Sequence, residues 1–298
     1  LELQEDYPSL SLHPVIADVR DEGRLESVFN EHRPQVVFHA AAHKHVPLME
    51  VNVADAVTNN VLGTRNVVDA AARHEVERLV LISTDKAIRP VSVMGATKRL
   101  AEMIVVNAAH RTGRTFSVVR FGNVLGSRGS VVPKFKSQIA RGGPVTVTHP
   151  DMQRYFMIIP EAVHLVLQAS AMGTGGEVFF LNMGQPVRIL DLAEDLIRLS
   201  GLEPGRDIEI AFTGIRPGEK LSEELSDDTM SFSPTAHPEI VRVESDEAVE
   251  GAQLNNTLDQ LARLARQNEV EALLRVLDEV VPGAAVRSSP PPDMMSMF

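Results

Sequence analysis

Thr84, Asp85 and Lys86 follow directly on the apolar run RLVLIS. A hydroxyl, a carboxyl and an amine at the end of a buried strand can exchange protons with a bound substrate. The C-terminal ends of parallel strands are where such groups gather. The competing reading is a helix-capping turn that carries a solvated ion pair. A second concentration of reactive side chains is HAAAHKH, which holds His39, His43, Lys44 and His45. It could be a metal site, a catalytic histidine cluster, or the lip of a nucleotide-binding sheet. Histidines spaced four and two apart in a strand-to-loop passage do not converge as i, i+4 ligands on a helix do. No Asp, Glu or Cys completes a set, so no metal is expected.

These groups need elements to hold them. PQVVFHAA, RLVLIST (78–84) and FSVVRFGNV (116–124) are short apolar runs of strand type. Between them lie VADAVTNNVLGTRNVVDAAARHE, with Val57, Val61, Val68 and Ala72 near helical spacing, and GATKRLAEMIVVNAAHR. Strands that are apolar throughout and alternate with helices predict an α/β fold with a parallel sheet covered on both faces. A further strand is expected at 12–17. Beyond Val124 glycines break the pattern into loops. EAVHLVLQASAM and ILDLAEDLIRLSG read as helices, EVFFLN and DIEIAF as strands, together a smaller mixed lobe. Residues 246–281 read as helical and charged, and 282–298 as a Pro/Ser-rich disordered tail.

Bulk properties exclude some functions. The 298 residues carry a formal net charge of −11, so no nucleic-acid partner is expected. With no cysteine, disulfides and thiolate metal sites are ruled out and a reducing compartment fits. No apolar run reaches membrane-spanning length. The expected location is the cytoplasm, or the cytoplasmic side of a membrane-anchored protein.

LISTDKAIRPVSVMGATKR resembles the extended short-chain dehydrogenase/reductases. More narrowly, the chain resembles the CapD-like polysaccharide-biosynthesis proteins, which are UDP-N-acetylhexosamine 4,6-dehydratases. The likeness spans about residues 17–225. It rests on ADVRD, HAAAHKHVPLME, NNVLGTRNV, STDKAIRP, MGATK, RFGNVLGSRGSVVP, DMQRYFM and IRPGEKLSEEL, in that order. The resemblance implies a Rossmann-like doubly wound sheet that lacks its first strands, with a smaller mixed α/β lobe for the substrate. Residues 1–124 would be a partial NAD-binding domain and 125–245 mainly the UDP-sugar lobe, with later segments free to rejoin the first. Residues 246–281 would be a helical extension.

The implied reaction removes water from a UDP-N-acetylhexosamine, UDP-N-acetylglucosamine first. Hydride leaves C4, the C5 proton and C6 hydroxyl are eliminated, and the hydride returns to C6, giving a 4-keto-6-deoxy sugar nucleotide for surface polysaccharide. The implied cofactor is NAD rather than NADP, and it carries the hydride. The family's roles fall on Asp85 as the acid at the C6 oxygen and Lys86 as the base at C5, provided burial or a cation lowers its pKa. Thr84 would bond near the C4 oxygen. Met94 stands where most of the superfamily has the tyrosine that takes the hydroxyl proton, and methionine cannot do so. Ordinary core packing is its other reading. Lys98, four residues on, would hold the nicotinamide ribose. Thr84, a water or Lys98 are the candidates for the C4 hydroxyl proton.

For the cofactor, Asp18 and Val19 would lie by the adenine. Ala40, Ala41 and Ala42 are small enough for close approach, and Lys44 would edge the cleft. Asn60 matches an asparagine that keeps sheet and catalytic element in register; a solvent-facing polar residue is its other reading. For the UDP-sugar, His45, Asn123, Arg154, Arg216 and Glu219 are the implied ligands, the arginines because guanidinium forks onto phosphate oxygens. Gln153 and Ile158 depart from threonines common in relatives and bear on substrate preference.

A glycine-rich turn for the pyrophosphate is expected before Asp18, and none stands there. The expectation is that the chain is part of a longer protein and that alone it binds NAD poorly. Self-association through helices of the Rossmann lobe is also expected. The alternatives are a nucleotide-sugar 4-epimerase, which would need the tyrosine replaced by Met94, and a non-catalytic nucleotide-binding or scaffold protein.

Overall fold

Uninterrupted runs of β-branched and aromatic residues build the central sheet. The computed structural model describes residues 2–127, 129–226, 230–244 and 251–288. Its strands β1 (Val36–His39), β2 (Arg78–Ile82), β3 (Thr115–Arg120), β4 (Val178–Leu181), β5 (Phe232–Pro234) and β6 (Ile240–Val243) form one sheet in the order β1-β2-β3-β4-β6-β5. The first four run parallel, and β6 and β5 are added antiparallel.

The helices follow in chain order. A one-turn α1 (Glu2–Asp6) precedes α2 (Glu22–His32) and α3 (Val46–Val51). Then Val53–Ala56, a π-helical stretch Val57–Leu62 and Gly63–Arg73 run on as α4. Helix α5 (Val93–Thr112) starts on the Ser92 cap, whose hydroxyl accepts from Gly95 N–H, and stops at the left-handed Gly113. Leu79 and Leu81 of β2 pack into one core with α4 and α5. Val80, between them, packs into a second core with α7 (Ile159–Met172), so helices cover both faces. The result is a Rossmann-like α/β fold. Fifteen of the twenty residues of α5 are buried, which is why its sequence shows so little amphipathic contrast.

The smaller lobe has its own core. Phe135 and Ile139 of α6 (Val131–Ala140) meet Ile189, Ala193 and Ile197 of α8 (Ile189–Leu199) over the parallel pair Val145–Val147 and Ile210–Phe212. The C-terminal hairpin α9 (Gly251–Gln267) and α10 (Val270–Val280) buries Leu254, Leu258, Leu261, Leu273 and Leu277 against α4 and α5. It thereby covers helices of the Rossmann lobe. No described helix is long and apolar enough to cross a membrane.

Four expectations from the sequence are corrected. Residues 12–17 form no strand: they are largely exposed, Ile16 by 96%. A parallel strand needs a neighbour for its ladder, and none of the described residues pairs with them. Strand β1 accordingly lies at the sheet edge, with Val36 and Phe38 43% and 44% exposed. The single strand expected at 116–124 breaks after Arg120. Asn123–Val124 leave the sheet and pair with Phe156–Met157. EVFFLN supplies β4 of the main sheet, not a strand of the smaller lobe. Of the expected disordered tail, 282–288 is docked. Ala285 N–H donates to the Pro90 carbonyl at 2.9 Å, and Val286 is buried in the turn Val286–Ser288, its N–H bonded to Asp278. The remainder, 289–298, lies outside the described residues.

Candidate functional site

The end of β2 sets the geometry. Ser83 and Asp85 N–H groups donate to the Val119 and Phe121 carbonyls, so the Thr84–Lys86 turn continues the pairing with β3. Asp85 is 1% exposed. Its Oδ1 accepts from Thr84 Oγ1 at 2.8 Å and from Lys86 Nζ at 3.0 Å. Its Oδ2 is buried and has no hydrogen-bond partner among the described residues. That oxygen lies against Gly122, where a Cβ would come within 2.9 Å of it, so the residue that breaks the strand also makes room for the carboxyl.

Lys86 bridges outward. Nζ donates to Asn123 Oδ1 at 3.2 Å and stands 3.4 Å from Glu223 Oε1, and Arg154 Nε is 3.6 Å from that same oxygen. The Lys86 side chain keeps 18% of its surface exposed, while Asp85 and Glu223 are almost fully enclosed. Burial pulls the Lys86 pKa down, but the Asp85 and Glu223 carboxylates outweigh burial and Arg154, and the net shift is upward. The lowered pKa that the role of base at C5 calls for is therefore not met in the resting chain: this lysine is held charged.

Around this cluster, Asn60 is buried in the π-helical stretch. Its Oδ1 accepts from His43 N–H at 2.8 Å, and its Nδ2 donates to the His43 carbonyl and to Thr97 Oγ1, both at 3.0 Å. It ties the loop after β1 to α5, and the solvent-facing reading does not hold. Lys98 Nζ donates to the Ile82 carbonyl at 2.7 Å, at the end of β2. Burial holds its pKa down to about 8, against the pull of Glu102. Met94, one turn earlier, belongs to the main hydrophobic core.

The remaining candidates are dispersed. Arg154 is buried, and its guanidinium donates to the Gln153 and Leu221 carbonyls as well as facing Glu223. Arg216 N–H donates to Glu219 Oε2 at 3.3 Å, beside Lys134, whose pKa burial and Arg216 pull down. Lys44 Nζ reaches Ser127 Oγ at 3.3 Å, and His45 lies against Gly129. Ala40 and Ala41 are exposed and Ala42 is half-buried. Asp18 is chelated by Arg20, which holds its pKa to about 2, and Val19 lies against Gly63. The histidines diverge: His39 turns inward to Thr64 Oγ1 at 2.9 Å, while His43 and His45 stay exposed.

Residues present fit the nicotinamide end of a dinucleotide. A buried lysine sits at the end of β2 beside the Thr84 turn, and the small residues Ala40–42 leave the end of β1 open. Two functional candidates do not stand out in the sequence. Glu223 is one of three acidic residues in EKLSEEL, which looks like a solvated face. Glu50 closes HAAAHKHVPLME and accepts from Val93 N–H at 2.8 Å, at the start of α5. The left-handed Gly218 of the RPGE turn packs on it, where a Cβ would come within 2.8 Å of Glu50 Oε1.

Glu50 and His39 make opposed contributions to stability. Burial raises Glu50 to about 7, and burial with Lys98 lowers His39 to about 4. From about pH 4.5 to 7 the native chain holds the Glu50 proton and the unfolded chain does not, so this contribution falls as pH rises. From about pH 4 to 6.5 the unfolded chain holds the His39 proton and the native chain does not, so this one rises with pH. Each is worth up to about 3 kcal/mol. Between pH 5 and 6.5 they offset each other. Glu50→Gln is expected to gain stability relative to the parent as pH rises through this window, and His39→Gln to lose it. Urea unfolding at a series of pH values measures both, and parallel curves for all three proteins would rule out the assignment.

A family model described as "Polysaccharide biosynthesis protein" matches residues 2–245. The capsular polysaccharide biosynthesis protein CapD of Staphylococcus aureus is 60% identical over 75% of this chain and 38% of its own length. A UDP-glucose 4-epimerase of Rickettsia canadensis is 39% identical over 70% of the chain and 60% of its own. A UDP-N-acetylglucosamine 4,6-dehydratase (inverting) of Campylobacter jejuni is 38% identical over 76% of the chain and 67% of its own. The chain thus spans under two fifths of the Staphylococcus relative.

Proposed function

The chain belongs to the polysaccharide biosynthesis protein family, and from that premise we propose that its site dehydrates a UDP-N-acetylhexosamine, UDP-N-acetylglucosamine first, at C4–C6 with NAD. The observation that carries the reading is the Asp85–Lys86 contact at 3.0 Å, enclosed except on the lysine side. Bound NAD supplies the hydride acceptor at C4 and the hydride donor at C6. Asp18, Val19, Ala40, Ala41, Ala42, Lys44, Asn60 and Lys98 are the residues that would hold or frame it. His45, Asn123, Arg154, Arg216 and Glu219 would serve the UDP-sugar.

The protein's own work is proton transfer. Thr84 Oγ1, which donates to Asp85 at rest, would turn to the C4 oxygen. Among the candidates for the C4 hydroxyl proton, Lys98 near pKa 8 is the side chain tuned to accept one near neutral pH. Elimination needs Lys86 neutral and Asp85 protonated, which is the resting ion pair with one proton moved across their hydrogen bond. Lys86 then takes the C5 proton, and Asp85 gives its proton to the C6 oxygen, which leaves as water. The pair then returns to its resting form, in which the surroundings hold Lys86 charged.

The epimerase reading rests on the Rickettsia relative. It fails on Met94, which has no proton to exchange. The test uses the chain within a polypeptide of its longer relatives' length, given UDP-N-acetylglucosamine and NAD. Loss of one water by mass spectrometry and a new methyl doublet by NMR are expected. A product of unchanged mass with an inverted C4 hydroxyl would replace this reading with epimerisation.

A further inference from the structure

We propose that Glu223 is a positioning residue for Lys86: a second counter-ion, brought in by the segment after the RPGE turn, that holds the lysine charged and aimed until the reaction begins. The cluster is enclosed except on the lysine side. Among the described residues, Asp85, Glu223 and Arg154 are the charged groups around the ammonium, and Thr84 and Asn123 are the neutral ones. Glu223 is 6% exposed, and a single oxygen, Oε1, faces both Lys86 Nζ and Arg154 Nε.

Charge balance decides what Glu223 does. Two cations and two anions share one enclosed space, so the cluster is neutral. Removing the Glu223 charge leaves one positive charge in excess. Arg154 cannot release a proton, so Lys86 is the group that yields. Removing the Arg154 charge instead leaves one negative charge in excess and binds the Lys86 proton more firmly. A plain structural ion pair between Glu223 and Arg154 would not move Lys86 in opposite directions.

The segment that carries Glu223 is fixed independently. Lys220 Nζ donates to the Ile88 carbonyl at 3.2 Å, and the Leu221 carbonyl accepts from Gln153 N–H at 2.9 Å. The backbone therefore presents the carboxylate, and the ion pair alone does not have to recruit it. This matters for the proposed cycle, which needs the lysine neutral only once substrate is in place. A counter-ion from the substrate side links the Lys86 proton to the position of the RPGE segment.

The catalytic consequence rests on the dehydratase reading, while the charge relation does not. The first experiment follows the Lys86 Nζ titration by NMR in the 298-residue chain, with the signal assigned by its loss in Lys86→Met. Glu223→Gln is expected to lower the midpoint by roughly one to three pH units. Arg154→Gln is expected to raise it, and Glu223→Asp to restore most of the parent value. An unchanged or raised midpoint in Glu223→Gln overturns the proposal. If that variant does not fold, Arg154→Gln decides alone: a raised midpoint supports the proposal and an unchanged one overturns it. The second experiment is the dehydration assay in the longer polypeptide. There Glu223→Gln should move the rising limb of the kcat–pH profile to lower pH, with KM for the sugar nucleotide little changed. Absence of dehydration by the parent protein would overturn the proposed function and leave the Lys86 titration to decide the role of Glu223.

Discussion

For the proposed dehydration, Asp85→Asn and Lys86→Met are each expected to lower turnover by about a hundredfold to ten-thousandfold, the loss that follows when a positioned acid or base is removed. That corresponds to about 3–5 kcal/mol of transition-state stabilisation. The two losses do not add. Each variant already interrupts the single proton circuit between C5, Lys86, Asp85 and the C6 oxygen, so the double variant should be little worse than either single one. The variants differ in stability. Asp85→Asn keeps a hydrogen-bonding side chain for Thr84, and the positive charge it leaves in excess is relieved when Lys86 gives up its proton. Lys86→Met leaves two enclosed carboxylates facing Arg154 alone, and it should be the less stable of the two. Deuterium uptake at C5 separates the roles. Run in deuterated water, Asp85→Asn should still exchange the C5 proton from any 4-keto intermediate it forms, and Lys86→Met should not. Full turnover by either variant would remove the dyad from the mechanism.

Glu102→Ala has the largest expected effect on stability. Glu102 is completely buried on α5. Oε1 accepts from Ser83 Oγ and from Arg120 Nε at 2.9 Å, and Oε2 from Arg120 at 2.6 Å and Arg99 at 3.1 Å. Arg120 closes β3 and Ser83 follows β2, so this one carboxylate joins helix and sheet directly behind the Thr84–Lys86 turn. Deleting it takes a carboxylate away from two buried guanidinium groups and should cost about 3–5 kcal/mol. Burial pushes the Glu102 pKa up, but Arg120, Arg99 and Ser83 outweigh it, and the net shift is downward. Its contribution is thus present above the unfolded carboxylate pKa, about 4.3, and is lost as pH falls through the lower folded value. A urea midpoint that moves by less than the equivalent of about 1 kcal/mol would show that the network is dispensable.

The sequence carried much of this. The apolar runs at β2, β3 and β4 have no polar alternation because helices cover both faces, and that is visible without coordinates. Ser92 and Gly113 mark both ends of α5. The Asp85–Lys86 pair needs only adjacency and a strand end. What did not show was whatever depended on partners distant in sequence. Residues 12–17 have strand composition, but strand formation there requires a neighbour that no local pattern supplies. Lys86 looked like a base whose pKa burial would lower, yet Asp85 beside it and Glu223, well over a hundred residues away, together outweigh burial. Arg154 carries the same charge whether it faces phosphate or a buried carboxylate. Gly122 gave no sign that it would stand against the unpartnered oxygen of Asp85.

The docked segment 282–288 has a consequence in time. Pro90, four residues after Lys86, gives its carbonyl to the N–H of Ala285, and Arg89 lies against Gly283. The loop that leaves the dyad is therefore closed by a contact about two hundred residues away, one of the costliest in loop entropy and among the last expected to form. During synthesis the sheet can assemble while this loop is still untethered. The loop after the dyad is tethered once the C-terminal hairpin has left the ribosome and docked, so this contact should form late, after most of the buried surface is already in place.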